Sequence, residues 1–507
     1  MVKMRRSHGI NSSDIRLTWA AIIIALIVLV AYNIYIHPWM IDDAFISFRY
    51  AENLASGNGP VFNVGEKVEG YTSFLWVAVL AMGARLGFDI VIFSKILGFL
   101  FAIGSLILLG HAHYFIDNIG VKTSVLAVLF TGTCGVFIPW ASSGMEVNMF
   151  LFFTLFTILY HLKIRKRKQA AHGSFFLLGL VAGLTALVRP EGLILFALIF
   201  VDSIRLGLKT GDRRQFYFLL GFVILYIPYF IWRFSYYGYP LPNTFYNKVG
   251  MSIYQVLRGA KYTTKFVIAV LALLVPIFEL LFHGKIFRKV EGLYFLLIFI
   301  SVYTVYTTIV GGDVFPAYRF YAAIMPIVSL VAAIALVKLI ESNGMLIRLA
   351  VLIVLFNLVQ LRTNYDIHYR IKVLDTVAQE GKEVGLWFRD NMDRGATLAI
   401  NSAGAVSYYS NLKVIDMLGL TDEHIAHMRI QNFGKGVSGH EKGDGIYVLS
   451  REPDIIQFGT TYGWEGPEYI GGEQIFARPE FRRDYTRKSV DLSSGKKLIY
   501  FVRKAGS

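Results

Sequence analysis

The sequence predicts a polytopic α-helical membrane protein that ends in a small α/β domain. Three observations predict it. Hydrophobic residues make up 55% of the 507-residue chain and charged ones only 17%, with a mean hydropathy of +0.52; soluble domains run nearer 25% charged. Apolar runs of bilayer-spanning length recur as far as residue 361. From residue 365 those runs stop, and Gly, Asp, Lys and Arg rise. A single soluble enzyme is excluded. The lone cysteine, Cys134, excludes a disulfide framework and a cysteine-based zinc site. The net charge of +15 fits Lys/Arg flanks on cytoplasmic loops better than a nucleic-acid surface, so no nucleic-acid partner is expected.

The first run, Leu17 to Ile36, is 20 residues without a charge. Lys3, Arg5, Arg6 and Arg16 before it predict a cytoplasmic start and a retained anchor. Further runs at 90–110, 122–140, 147–162, 173–188, 191–207, 216–234, 264–283, 292–310, 321–340 and 345–361 raise the expected crossings to 11. The basic stretches Lys163 to Lys168, Lys209 to Arg214 and Lys285 to Lys289 are expected inside. Their parity allows one crossing between Tyr71 and Phe115, so 71–86 is expected to lie flat on the outer interface as a helix capped by Thr72 or Ser73. The membrane domain is then 1–364, with an outer loop at 37–89 carrying interfacial helices, and 365–507 is an extracytoplasmic α/β domain. In that domain Val373 to Asp390 reads as a helix. Thr397 to Asn401, Lys413 to Met417 and Ile446 to Val448 read as strands, with Ala403 to Tyr409 as a crossover.

This sidedness sorts the polar residues. Lys95, Asp202, Glu279 and Lys338 sit toward helix ends, and the helix midplanes carry essentially no ionisable group. Ion-coupled transport usually needs such groups, which argues against a transporter. The candidate chemistry faces outward. Ile41, Ala44, Phe48, Ala51 and Ala55 repeat at helical spacing, and Gly57-Asn-Gly-Pro60 stops that helix. Asp42 and Asp43 occupy its first turn. They are either favourable helix-start charges or a general base aimed into a cleft, with Asp42 able to pair with Arg49. His424 and His427, at i and i+3, fix no third metal ligand and read as surface polar residues.

Asp42-Asp43 after the first span, then Gly57-Asn-Gly59 and Val68-Glu-Gly-Tyr-Thr-Ser73, resemble the GT-C membrane glycosyltransferases, and among them the terminal β-(1→2)-arabinofuranosyltransferases. Matching stretches continue at Ser143-Gly-Met-Glu146, Arg189-Pro-Glu-Gly192, Leu241-Pro-Asn-Thr-Phe-Tyr246, Gly311-Gly-Asp313 with Tyr318-Arg-Phe320, and Ile415 to Asp422. Arg-Pro-Glu-Gly is widely shared; the ordered set is specific for the superfamily and less so for arabinose.

The resemblance implies transfer of a sugar, D-arabinofuranose, from a polyprenyl-phosphate donor to a glycan or protein acceptor on the outer face of a bacterial cytoplasmic membrane. It also implies a catalytic Asp in the first outer loop, a role carried to Asp42 and Asp43; Asp43 is placed first because it lies nearer the helix body while Asp42 can pair with Arg49. The alternatives are a GT-C transferase of mannose, glucose or aminoarabinose, and a lipid-linked-glycan flippase. Such a reaction needs a carboxylate for the acceptor hydroxyl or the anomeric charge and cations for the departing lipid phosphate. Arg319, Arg189, Arg49, Arg233 and Lys248 are the phosphate candidates, each of which also reads as a snorkelling anchor. Arg319 leads because Gly311-Gly-Asp313 places a turn and a carboxylate beside it. Arg189 also reads as a structural partner of Glu191. Glu146, Asn243, Tyr246, Asp313, Tyr318 and His440 are the candidate substrate-binding residues, His440 within the loop Gly439 to Gly445. Trp232 to Tyr239 reads as an interfacial aromatic belt. No cofactor is predicted, a divalent metal is left open, and a monomer in the lipid bilayer is expected.

Overall fold

The computed structural model describes residues 11–165, 171–211, 213–284, 290 and 292–504. Lys3, Arg5, Arg6, residues 166–168 and residues 285–289, on which part of the charge parity rests, lie outside the described residues.

Among the described residues five helices are long and apolar enough to cross a membrane, and a sixth is added if one bent pair counts as a single span. The chain is a polytopic helical membrane protein. In order come α1 (Ser12–Ile36), α2 (Asp42–Ala55), α3 (Phe74–Arg85), α4 (Ile90–Gly110), α5 (Val121–Gly132), α6 (Val147–Ile164), α7 (His172–Val188), α8 (Gly192–Thr210) and α9 (Gln215–Tyr237). The short α10 (Asn243–Lys248) precedes α11 (Ile253–Ala269), α12 (Leu271–Leu281), α13 (Leu293–Ile309), α14 (Met325–Leu339) and α15 (Asn343–Thr363). Every residue of α14 from Met325 to Leu336 is buried, as expected of a helix that is apolar all round. Helices α7 and α9 meet through glycines: a Cβ on Gly179 would stand 2.1 Å from the Phe218 carbonyl, and one on Gly221 2.1 Å from that of Phe176. In a bilayer such close backbone approach supplies the packing that the hydrophobic effect cannot.

Two of the expected spans differ in outline. The run 122–140 is helical only to Gly132, where a Cβ would strike Ala25 at 2.2 Å, and a 3₁₀ turn follows at Ile138–Ala141. The run 264–283 belongs to a longer pair, α11 and α12, bent by 93°. Arg258 on α11 donates to the Glu441 carboxylate at 2.8 Å and to the Gly436 carbonyl at 3.0 Å. These bonds hold the first limb against the C-terminal region. The helix expected over 71–86 is α3, 12 residues long; Ser73 stands at its N-cap position but its side chain makes no capping bond.

After a π-helical segment at Tyr365–Leu374 and α16 (Val377–Asn391), the C-terminal region forms a five-stranded sheet. Its strands are β1 (Thr397–Ile400), β2 (Lys413–Asp416), β3 (Ile455–Gln457), β4 (Tyr485–Asp491) and β5 (Lys497–Arg503), in the order β2-β1-β3-β5-β4. The first three are parallel and the last two antiparallel. The expected crossover contains a helix, Ala405–Ser410. The strand expected at Ile446 to Val448 is instead part of a helix, Gly445–Ser450, because Asp444 caps it by accepting from the Tyr447 N–H at 3.0 Å.

The two regions are tied together through α2. Arg49 donates to the carbonyls of Phe62, Ser407 and Leu412, each at 2.7 Å, and to the Asn63 side chain at 3.2 Å. The expected pairing of Arg49 with Asp42 is therefore corrected. Every donor nitrogen of Arg49 is spent on docking loops to α2.

Candidate active site

Two adjoining cavities lie where α2 meets the α9–α11 segment, the 311–319 loop and the C-terminal sheet. The larger, about 320 Å³, is lined by Asp43, Tyr71, Ser73, Glu146, Arg189, Glu191, Lys248, Asp313 and Arg319 among others. The smaller, about 230 Å³, is lined by Asp42, Asp43, Lys248, Arg370, Asp375, Asn401, Ser402, His440, Thr460 and Tyr469 among others. Asp43 and Lys248 line both, 3.7 Å apart, and each is about a quarter exposed.

Local sequence explains how Asp43 reaches this position. The Ile41 N–H donates to the Ser143 carbonyl at 3.1 Å, fixing the entry of α2. Gly144, at φ +82°, lies under Met40, Ala44 and Phe48, where a Cβ would stand 2.7, 3.0 and 3.1 Å from them. The Ser143-Gly-Met-Glu146 stretch thus seats the start of α2 while presenting Glu146 to the larger cavity. Asp42, one residue earlier, points the other way. It accepts from Ser402 Oγ at 2.9 Å and from the Ala405 N–H at 2.8 Å, and a Cβ on Gly404 would lie 2.3 Å from its carboxylate. Burial pushes the Asp42 carboxyl up to about 6; the Ala405 N–H pulls it back and neighbouring Asp43 adds to the rise.

The cations of the larger cavity are all compensated. Arg189 is gripped by Glu191 through two bonds, at 2.8 and 3.2 Å, and by Glu146. The structural pairing with Glu191 is thus observed, with a second carboxylate added. Arg319 Nε donates to Asp313 at 2.5 Å, and its guanidinium lies 4.6 Å from the Phe315 ring centre and 5.2 Å from that of Phe320. Two consecutive left-handed residues, Ala317 at φ +50° and Tyr318 at φ +52°, turn the chain before Arg319. Such strain in non-glycine backbone persists only where the surroundings enforce it: Trp140 holds the Ala317 carbonyl and Asp366 the Tyr318 hydroxyl, each at 3.3 Å.

Several candidates fall outside the cavities. Arg49 is the docking clamp described above. Arg233 is buried against Glu69, with bonds of 2.5 and 2.8 Å, inside an aromatic stretch in which Trp232 and Phe234 face outward and Tyr237 is buried. Asn243 donates to the carbonyls of Gly419, Leu420 and Asp422 at 3.0–3.2 Å. Tyr246 packs on His427, ring centres 4.1 Å apart. Tyr318 serves the turn through Asp366. The lining of neither cavity includes Arg49, Arg233, Asn243, Tyr246 or Tyr318, so their expected contact with phosphate or sugar is corrected: they brace the site. His440 does line the smaller cavity, its Nδ1 3.0 Å from the Ser438 carbonyl, and burial holds its ring below the usual imidazole range. His424 pairs with Asp444 at 2.9 Å, away from His427. Among the described residues no group of three His, Cys, Asp or Glu side chains is arranged to hold a metal ion.

Sequence reasoning missed Asp375, Asn401 and Glu69. Asp375 Oδ2 accepts from Trp39 Nε1 at 3.0 Å; burial pushes its carboxyl up to about 6, with Asp43 adding to the rise. Its partner is 336 positions away, so no local spacing marks it.

Residues 363–495 match a family model described as a domain of unknown function, DUF8728. The chain is 29% identical over 238 residues to the terminal β-(1→2)-arabinofuranosyltransferase of Mycobacterium tuberculosis, a match covering 43% of this chain and 36% of that protein. It is 31% identical over 236 residues to the protein of the same name from Corynebacterium glutamicum, covering 41% and 32%. The match spans about a third of each relative's length. The solved structure of ArnT from Cupriavidus metallidurans bound to undecaprenyl phosphate superposes with a TM-score of 0.54 at 12% identity, over 78% of this chain and 85% of that one. The chain has the GT-C fold. Within that fold the resemblance read from the Asp42-Asp43 and Arg189-Pro-Glu-Gly192 stretches is borne out, and the two cavities meet at one of the two aspartates that carried it.

Proposed function

We propose that the protein is an integral-membrane glycosyltransferase that moves D-arabinofuranose from a polyprenyl-phosphate donor to a glycan or protein acceptor on the extracytoplasmic face. The observation that carries this reading is the position of Asp43 in the wall shared by two cavities. In this reading the larger cavity, with Arg319, Arg189 and Lys248, receives the donor phosphate, and the smaller receives the acceptor. Asp43 takes the proton of the acceptor hydroxyl as that oxygen bonds to the anomeric carbon. The bond from that carbon to the phosphate oxygen breaks, and the electron pair leaves with the lipid phosphate. Lys248 and Arg319 offset the charge that develops there. Relatives named as arabinofuranosyltransferases support the sugar, and the ArnT that binds undecaprenyl phosphate supports the lipid.

The reading includes 11 crossings, with the C-terminal region outside and the protein acting as a monomer in a bacterial cytoplasmic membrane. A reporter fused after Lys168 is expected to be cytoplasmic and one after Ser507 extracytoplasmic; the same side for both sinks the topology. Membranes containing the protein are expected to consume polyprenyl-phosphoryl arabinofuranose in preference to the mannose, glucose and aminoarabinose counterparts. Consumption of one of those instead would replace the sugar but keep the reaction class.

A further inference from the structure

The smaller cavity opens at the carboxyl ends of β1, β2 and β3, with Asn401, Leu418 and Thr460 in its wall. The chain leaves β1 for β2 on one side and returns as β3 on the other. In open α/β sheets that switch point is where ligands are bound. Asn401 follows β1 directly and is only 5% exposed. Its Oδ1 accepts from the Gly459 N–H at 3.2 Å, which fixes the side-chain orientation, while its Nδ2 has no partner among the described residues. A buried amide donor left unpaired is costly, and here it lies just beneath the wall of a cavity that its own residue lines. Across that cavity, Asp375 has one oxygen held by Trp39.

We propose that Asn401 and Asp375 are specificity-determining residues that read the hydroxyls of an uncharged sugar end at the acceptor position, the amide as donor and the carboxylate as acceptor. This rests on the transferase reading above. The charge balance selects an uncharged ligand: among the described residues the cavity wall carries three carboxylates, Asp42, Asp43 and Asp375, against two cations, Lys248 and Arg370, with His440 held toward its neutral form by burial, so a phosphorylated or carboxylated acceptor meets excess negative charge. An extended peptide would be captured along a sheet edge by main-chain pairing, whereas this cavity faces strand ends.

The test uses full-length protein with octyl α-D-arabinofuranoside as acceptor probe and arabinose 5-phosphate as its anionic counterpart. Asn401→Asp keeps the oxygen that faces Gly459 and replaces the donor by a charge. It is expected to raise the acceptor KM about tenfold or more with the donor KM unchanged, and Asp375→Asn to raise it several-fold. Where Asn401→Asp accumulates poorly, Asn401→Leu, which removes the donor at similar size, supplies the comparison. Unchanged acceptor KM, acceptor and donor KM rising together, preference for the phosphorylated probe, or use of a Ser/Thr peptide with refusal of the glycoside would each overturn the assignment. Saturation-transfer NMR separates this failure from that of the reaction. Probe binding that is lost in Asn401→Asp upholds the subsite even if the wild type transfers no sugar; no binding by the wild type removes it.

Discussion

The two cavities that share Asp43 are built on opposite principles. In the larger, Arg189 and Arg319 are already held by carboxylates, Glu191 and Glu146 on one and Asp313 on the other. In the smaller, among the described residues, Asn401 leaves a donor unpaired and Asp375 has one oxygen engaged by a side chain. Pre-paired cations are rigid and aimed, and they cost little reorganisation when charge develops beside them. Unpaired groups are the opposite: they are satisfied only when a ligand arrives, which is how a site discriminates among hydroxylated partners. On the proposed function, the contrast suits one cavity to a step in which charge appears and the other to recognition.

The largest expected effect lies at the shared wall. On the proposed mechanism Asp43→Asn removes the general base while leaving the side chain's size and Lys248 in place. A positioned general base contributes about 10²–10⁴-fold, so transfer should fall by that factor at unchanged membrane abundance. Near-normal turnover in Asp43→Asn would dissolve the division of labour between the cavities.

Arg319 comes next. Loss of a charge-assisted hydrogen bond to phosphate corresponds to about 1.5–3 kcal/mol, or about ten- to a hundredfold in kcat/KM for the donor on Arg319→Ala. Arg319→Lys should recover only part, because the ammonium lacks the planar fork and the stacking on Phe315 and Phe320. Full recovery with lysine, with donor KM unchanged, would make Arg319 a brace like Arg233 and shift the phosphate contact to Lys248.

How much of this was legible beforehand follows from the range of each signal. The helices, the end of α2 at Gly57, and the helix-start position of Asp42-Asp43 are written in local periodicity and turn residues. The roles of the arginines are not, since Arg49, Arg189, Arg233 and Arg319 look alike in sequence. Arg49 is told apart by carbonyls at 407 and 412, and Arg233 by Glu69, 164 positions away. Asn243 carried a motif that reads as sugar-binding, yet its amide ties α10 to the 419–422 loop. A recurring motif marks a constraint and does not say whether the constraint is chemical or architectural. Strand β3 was missed because three buried residues carry no alternation.

The smallest effect concerns Asp42, which the comparison makes an anchor between α2 and the sheet. Its carboxyl is faced by Ser402 Oγ, the Ala405 N–H, Asp43 and Asp375, and burial holds it up at about 6 against an ordinary 3.8. A carboxyl raised on folding contributes stability below its unfolded pKa, and that contribution is lost as pH rises through about 6. Above pH 6 the wild type therefore carries a buried charge whose cost is on the order of 1–3 kcal/mol. Asn in its place keeps both bonds, accepting from Ala405 through its oxygen and donating to Ser402 through its amide. Asp42→Asn is thus expected to raise the thermal inactivation temperature in detergent by a few degrees at pH 7.5 and by little at pH 4.5, with transfer reduced only a few-fold. Asp42→Ala should lower it at both pH values, because the Ala405 N–H is left unpaired. A hundredfold loss of transfer in Asp42→Asn, with stability unchanged, would exchange the roles of the two aspartates.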